Sequence, residues 1–156
     1  MTNLSHVPDA SIVESVVIRG DLGPLSPTQR ATYYAKVCES IGLNPLTQPF
    51  EYLSLNGKTV LYAKRACADQ LRQIHGVSIR VTGRETIGDV YVVTAQATDR
   101  TGRVDESTGA VPTGSLKGEA LANALMKAET KAKRRVTLSI CGLGFLDESE
   151  LDTIQG

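Results

Sequence analysis

Tryptophan is missing from this chain, and phenylalanine, histidine and cysteine number two, two and three among 156 residues. Each scarcity excludes something. Cys38, Cys67 and Cys141 are odd in number and far apart, which fits free thiols in a reducing cytoplasm and not a disulfide framework. There is no CxxC and no HExxH, and His6 and His75 fall in different segments, so a transition-metal centre lacks its ligands. His75 precedes Gly76 and reads as the last residue of a helix, where a cation suits the dipole. The phosphate-cradling loop GxxxxGK[ST] is absent, which excludes ATP hydrolysis of that type. No histidine stands ready to activate a serine or cysteine nucleophile. The expectation is a protein that is not an enzyme and needs no cofactor or metal.

Long apolar runs are missing too. The longest, from Val136 to Leu146, includes Thr and Ser and is too short to span a bilayer. The N-terminal MTNLSHVPDAS has neither the basic start nor the apolar centre of a signal peptide. A cytoplasmic, soluble, single-domain protein is expected from a composition of 41% hydrophobic and 22% charged residues.

Net charge is zero, yet the charges are segregated. Residues 30–135 hold 16 of the 17 Lys and Arg but only 10 of the 17 Asp and Glu, a local net charge of +6. The first 29 residues carry −2, and residues 136–156 carry four acids and no base. Such a distribution suits either an anionic partner or a well-solvated mixed surface. Asp147, Glu148, Glu150 and Asp152 read as a solvated tail rather than as a metal-ion nuclease cluster.

Local signals order the elements. Residues 1–25 form a lead-in that ends at the turn-rich DLGPLSP. Ser26-Pro27-Thr28-Gln29 starts a helix with a capping box, and Gly42 stops it. Tyr33, Val37 and Ile41 form its buried stripe. Asn56-Gly57 between FEYLSL and KTVLY marks a hairpin. A second helix spans Ala63 to His75, with Cys67, Leu71 and Ile74 inward. Strands follow at Val77–Val81, Val90–Thr98 and Val104–Val111, and a long helix runs from about Ser115 to Ser139. Strands grouped together, not alternating with helices, favour an α+β fold with antiparallel hairpins or sheet packed against helices.

The last helix and the segment after it read KAETKAKRRVTLSICGLGF, with five Lys or Arg in the first nine residues and no charge in the last ten. With Lys127 at zero on a helical wheel, Lys131 lies at about +40°, Arg134 at about −20°, and Lys117 and Arg135 at about +80°. Lys133 points elsewhere. Leu121, Leu125, Ala128, Ala132, Val136 and Ser139 fall at about 100–180° and form the expected core face. A basic ridge on the shoulder of a buried face reads as a solvated surface, a membrane-surface helix or a phosphate binder; the lack of bulky aromatics weakens the membrane reading. The hairpin is a second candidate patch. Lys58, Tyr62, Lys64 and Arg65 set an aromatic ring beside cations, as single-stranded nucleic acid requires. Equally, Tyr52 and Tyr62 can be ordinary strand residues packing a sheet.

Two blocks together resemble the RecT and phage-lambda Red beta family of single-strand DNA annealing proteins. The first is YYAKVCESIGLNPLTQPFEYLSLNGKTVLYAKRACADQLRQ, residues 33–73. The second is GEALANALMKAETKAKRRVTLSICGLGFLDESELDTI, residues 118–154. Block order and spacing also agree, so the likeness covers roughly residues 26–154, with the middle strands matching in pattern only. The resemblance implies an annealing core over residues 26–146 and an acidic tail over 147–156. It implies ATP-independent binding of single-stranded DNA and pairing of complementary strands, in phage recombination and repair within a bacterial host cell. It also implies a homo-oligomer, ring or helical filament, with DNA along a positive groove. On the family's pattern Lys127, Lys131, Arg134 and Arg135 line that groove, and Lys58, Lys64 and Arg65 contribute. Longer relatives use a further C-terminal segment to contact a partner exonuclease or single-strand-binding protein; here that role would need another surface. Two alternatives stay open: a single-strand-binding protein without annealing activity, and an interaction module whose basic helix meets an acidic partner.

Overall fold

The computed structural model describes residues 14–147. After a short π-helical turn, Glu14–Ile18, helix α1 spans Pro27–Ile41. Its start is the expected capping box: Ser26 Oγ accepts from the Gln29 amide at 3.2 Å, and the Ser26 amide donates to Gln29 Oε1 at 2.8 Å. Strands β1, Phe50–Leu55, and β2, Lys58–Ala63, pair antiparallel from Leu55–Lys58 to Phe50–Ala63. Asn56 and Gly57 both take positive φ, 52° and 77°, which a two-residue hairpin of this twist demands. Helix α2, Arg65–His75, follows at once.

Strands β3 (Ser78–Ile87), β4 (Val90–Thr98) and β5 (Val104–Pro112) form an antiparallel sheet in that order. β3 runs well past the expected Val81, because a bulge between Val81 and Gly83 lets the pairing continue. The inserted residue also changes which side chains face which way. Arg84 comes opposite Val93 on the covered face of the sheet, where strict alternation would have turned it outward. Helix α3, Gly118–Ile140, lies across that face. The chain then returns as a two-residue strand β6, Leu146–Asp147, parallel to β2. The protein is thus α+β, with antiparallel strands packed against helices.

Two cores result, and α3 serves both. Val93, Ala95, Ala97 and Val111 of the larger sheet meet Ala124, Ala128, Ala132, Val136 and Ile140 of α3. Leu22, Leu25, Cys38, Leu43, Phe50, Leu61, Cys67 and Leu71 surround Leu138 in the other. Residues 19–25 are tied onto the hairpin. The Leu22 amide donates to Thr59 O at 2.8 Å, and the Asp21 carboxylate accepts from the Thr59 and Gly23 amides at 2.9 Å each. Those two bonds hold the Asp21 carboxyl below its usual range.

Of the core face expected in α3, Ala128, Ala132 and Val136 are buried and Leu121 is half-buried, but Leu125, at 37%, and Ser139 are exposed, as is Ile74 of α2, at 38%. In α1 the fully buried residue is Cys38, while Tyr33, Val37 and Ile41 are half-buried. The reason for the change in α3 is Gly109 on β5. A Cβ at Gly109 would lie 2.4 Å from the Ala128 carbonyl oxygen and 2.4 Å from the Ala132 amide nitrogen. Backbone meets backbone there, so the helix presents Ala128 and Ala132 to the strand while Leu125 faces outward. Replacing Gly109 by Ala should cost about 3 kcal/mol, read as a lower urea midpoint. An unchanged midpoint would mean the helix can lift off the sheet without loss.

Candidate nucleic-acid interface

The same close approach decides where the basic residues of α3 go. Lys131 lies one turn from Ala128, on the alanine side of the helix. It is only 7% exposed, with its stem against Gly109 and its Nζ donating to the Ala110 carbonyl at 3.2 Å. The apolar part of a lysine packs well in such a place, provided the ammonium finds an oxygen. Lys131 therefore pins α3 to β5 and leaves the expected surface ridge.

Arg134 is largely covered as well. Its guanidinium approaches Asp147 Oδ1 at 3.6 Å, and the Asp147 carboxylate is fully buried. Asp147 was expected at the head of a solvated tail; it instead ends β6 inside the protein. The other members of that acidic cluster, Glu148, Glu150 and Asp152, lie outside the described residues. Lys133, assigned to another face, pairs with Glu129 at 3.0 Å, and Glu129 also binds Arg84 of β3 at 2.8 Å. The bulge that brought Arg84 to the helix side of the sheet makes this second contact possible. Lys127 is half-buried and Arg135 exposed.

At the hairpin, Lys58 is exposed and donates to the Arg19 carbonyl at 2.8 Å. Tyr62 is 8% exposed, and its hydroxyl donates to Glu51 Oε2. Its ring is thus a core group and offers no stacking platform. Tyr52 is engaged too: its hydroxyl donates to the Arg30 carbonyl at 2.7 Å, and the Arg30 guanidinium carbon sits 5.4 Å from its ring centroid. Burial pushes the Tyr52 phenol up to about 12. The ordinary sheet-packing reading of these two tyrosines is the one the structure supports. Lys64 caps α2 without a side-chain bond to the helix, and Arg65 is exposed beside Asp69 at 3.6 Å.

Some of these cations are brought together and others are not. β6 lies next to β2 with Asp147 opposite Ala63, the residue before Lys64. Arg134, bound to Asp147, is therefore carried to the start of α2, where Lys64 and Arg65 stand. Arg72 of α2 reinforces the junction by donating to Thr137 Oγ1 of α3 at 3.3 Å. Lys117 precedes Arg134 by 17 residues, about 26 Å along the helix. Lys58 lies five residues from Ala63, about 17 Å along the strand. Both stand apart from the junction. Sequence reading missed the contacts of Arg72 with Thr137 and of Arg84 with Glu129, which join distant elements; nothing in local spacing announces either. Among the described residues no group of His, Cys, Asp and Glu is placed to hold a metal ion, and no helix is long and apolar enough to cross a membrane. The chain matches no protein-family model and no curated protein.

Two outcomes test these placements. Arg134→Ala strips the buried Asp147 carboxylate of its guanidinium and should lower stability by about 3 kcal/mol; adding Asp147→Asn should restore part of the loss. A loss below about 0.5 kcal/mol would make Arg134 an ordinary surface cation. Glu129 is held below its ordinary 4.5, first by the Arg84 bond and then by Lys133. A depressed folded-state pKa contributes stability above the unfolded value and loses it as pH falls through the folded one. The stability advantage of the parent over Glu129→Gln should therefore shrink between pH 6 and pH 3. A constant difference would discount the bridge.

Proposed function

We propose that the protein binds single-stranded DNA without ATP and anneals complementary strands in homologous recombination. The observation that carries the reading is the meeting of the two resemblance-bearing blocks. Residues 33–73 and 118–154 are far apart in sequence, yet β6 pairs with β2 and Arg134 reaches Asp147 beside Lys64 and Arg65. Cations from both blocks thus gather at one end of the fold, with Arg135 exposed next to them. Pairing two strands requires that phosphates be held while base edges stay free. A cationic surface whose neighbouring Tyr62 ring is buried suits that task, because it grips the backbone and leaves the bases alone. In this reading the groove residues are Lys64, Arg65, Lys127, Arg134 and Arg135. Lys131 acts through the fold, and Lys58 and Lys117 lie on its margins. The protein would work as a homo-oligomeric ring or filament, in which adjoining grooves raise affinity through effective concentration. Phage recombination and repair in a bacterial cytoplasm is the setting this reading implies.

The test mixes two complementary oligonucleotides with the protein and no ATP, and follows duplex formation with time. Pairing faster than the spontaneous rate is expected. Binding to either strand without faster pairing would leave a plain single-strand-binding protein, and no salt-dependent binding at all would favour an acidic protein partner. Lys127→Ala with Arg135→Ala should weaken binding to every sequence alike and reduce the slope of log affinity against log salt by about 1.4. An unchanged slope would place the track on another face.

A further inference from the structure

The larger sheet has two outer edges, and they are finished differently. Hydrogen bonding between β4 and β5 continues into the flanking turns: the Asp99 amide donates to the Arg103 carbonyl at 3.0 Å, and the Thr113 amide to the Asp89 carbonyl at 2.7 Å. Bonded pairs therefore fall on the odd residues of both strands, and alternation turns the even residues of β5 outward. Side chains meet those outward groups. Lys131 Nζ donates to the Ala110 carbonyl at 3.2 Å, and the Asp105 carboxylate accepts from the Glu106 amide at 2.8 Å. β5 then ends on Pro112, which has no N–H to offer. By the same alternation the even residues of β4 bond β3, so Ile79, Val81, Arg84 and Thr86 turn their backbone groups away from the sheet. No backbone bond from another described element reaches these four. One edge is closed and the other is open.

We propose that β3 is a self-pairing edge, joined antiparallel to β3 of a second copy about a two-fold axis at Thr82 and Gly83. Only one antiparallel register pairs all four outward residues of each copy with one another. It sets Ile79 opposite the second copy's Thr86, and Val81 opposite its Arg84. That register also brings Arg80 opposite Glu85 of the second copy, and Glu85 opposite its Arg80. The two share a face only because the bulge at Thr82 adds a residue between them. Both are exposed, and neither forms an ion pair among the described residues. Charges guard a sheet edge when like meets like, whereas here each meets its opposite. There is room for the pairing. Helix α3 approaches β5 most closely, at Gly109, two strand spacings or about 10 Å from β3. Both helices then lie on one side of a continuous sheet without colliding, and Ile79 and Val81, half-buried in one chain, gain cover. Such a contact closes on two copies, so a ring or filament would need a further surface. It goes beyond the single-strand reading and stands whether or not the protein binds DNA.

Sedimentation of the full chain without DNA tests the pairing. The parent should associate in pairs with a dissociation constant below about 100 μM. Arg80→Glu and Glu85→Arg each set like charges opposite at both sites, and each should raise that constant about tenfold. Mixing the two single variants should restore the parent's constant, because a mixed pair again sets opposite charges together. The double variant, with the charges exchanged, should also match the parent. A parent that stays monomeric at that concentration overturns the proposal, as does a single variant that pairs as tightly as the parent. A mixture and a double variant that both remain weak overturn it too.

Discussion

Helix α3 can lie on its sheet only because Gly109 lets the β5 backbone touch the helix backbone at Ala128 and Ala132. Much of the rest depends on that contact. It fixes the rotation of α3 about its axis by bringing Ala128, Lys131 and Ala132 against Gly109. Rotation in turn puts Lys131 under β5, where the Ala110 carbonyl receives its ammonium, and turns Leu125 and Met126 outward. It also sends Leu138 into the hairpin core while Val136 and Ile140 stay with the sheet. One helix thereby joins two small cores, neither of which would bury much surface alone. Phe145, tilted against Phe50 with ring centroids 4.7 Å apart, holds the returning chain so that β6 can pair with β2.

Charge follows packing throughout. Glu129 sits between Arg84 and Lys133, Asp69 between Arg65 and Arg72, and Asp147 beside Arg134. Several cations that look like a surface ridge on a helical wheel are thus engaged in holding elements together. A basic helix serves as a structural strut and as an electrostatic surface at once, and the division between those roles falls residue by residue. Exposure and partner decide it. Lys131 belongs to the strut, Arg135 to the surface, and Arg134 joins the two through Asp147.

The hairpin, the capping box at Ser26 and the stops at Gly42 and Gly76 were legible in the sequence, because each is set by residues within four positions of one another. The grouping of strands, and hence the α+β class, followed from their order. The bulge at Thr82 was not legible: it depends on how β3 sits against β4, and it alone brings Arg84 to Glu129. The burial of Tyr62 was legible as one of two readings, and its cross-strand partner Glu51, which takes its hydroxyl, decides between them.

By itself the sequence determined the main helices and hairpin, the stops at Gly42 and Gly76, the segregation of charge and the amphipathic character of the last helix. Short-range sterics and hydrogen bonding suffice for all of these. Tertiary structure decided how far the buried face of that helix extends, and with it which lysines and arginines reach solvent. The expected face shares Ala128, Ala132 and Val136 with the observed one, but the fold adds Lys131 to it and leaves Leu125 outside. The close approach of the β5 backbone at Gly109 governs how α3 meets its sheet.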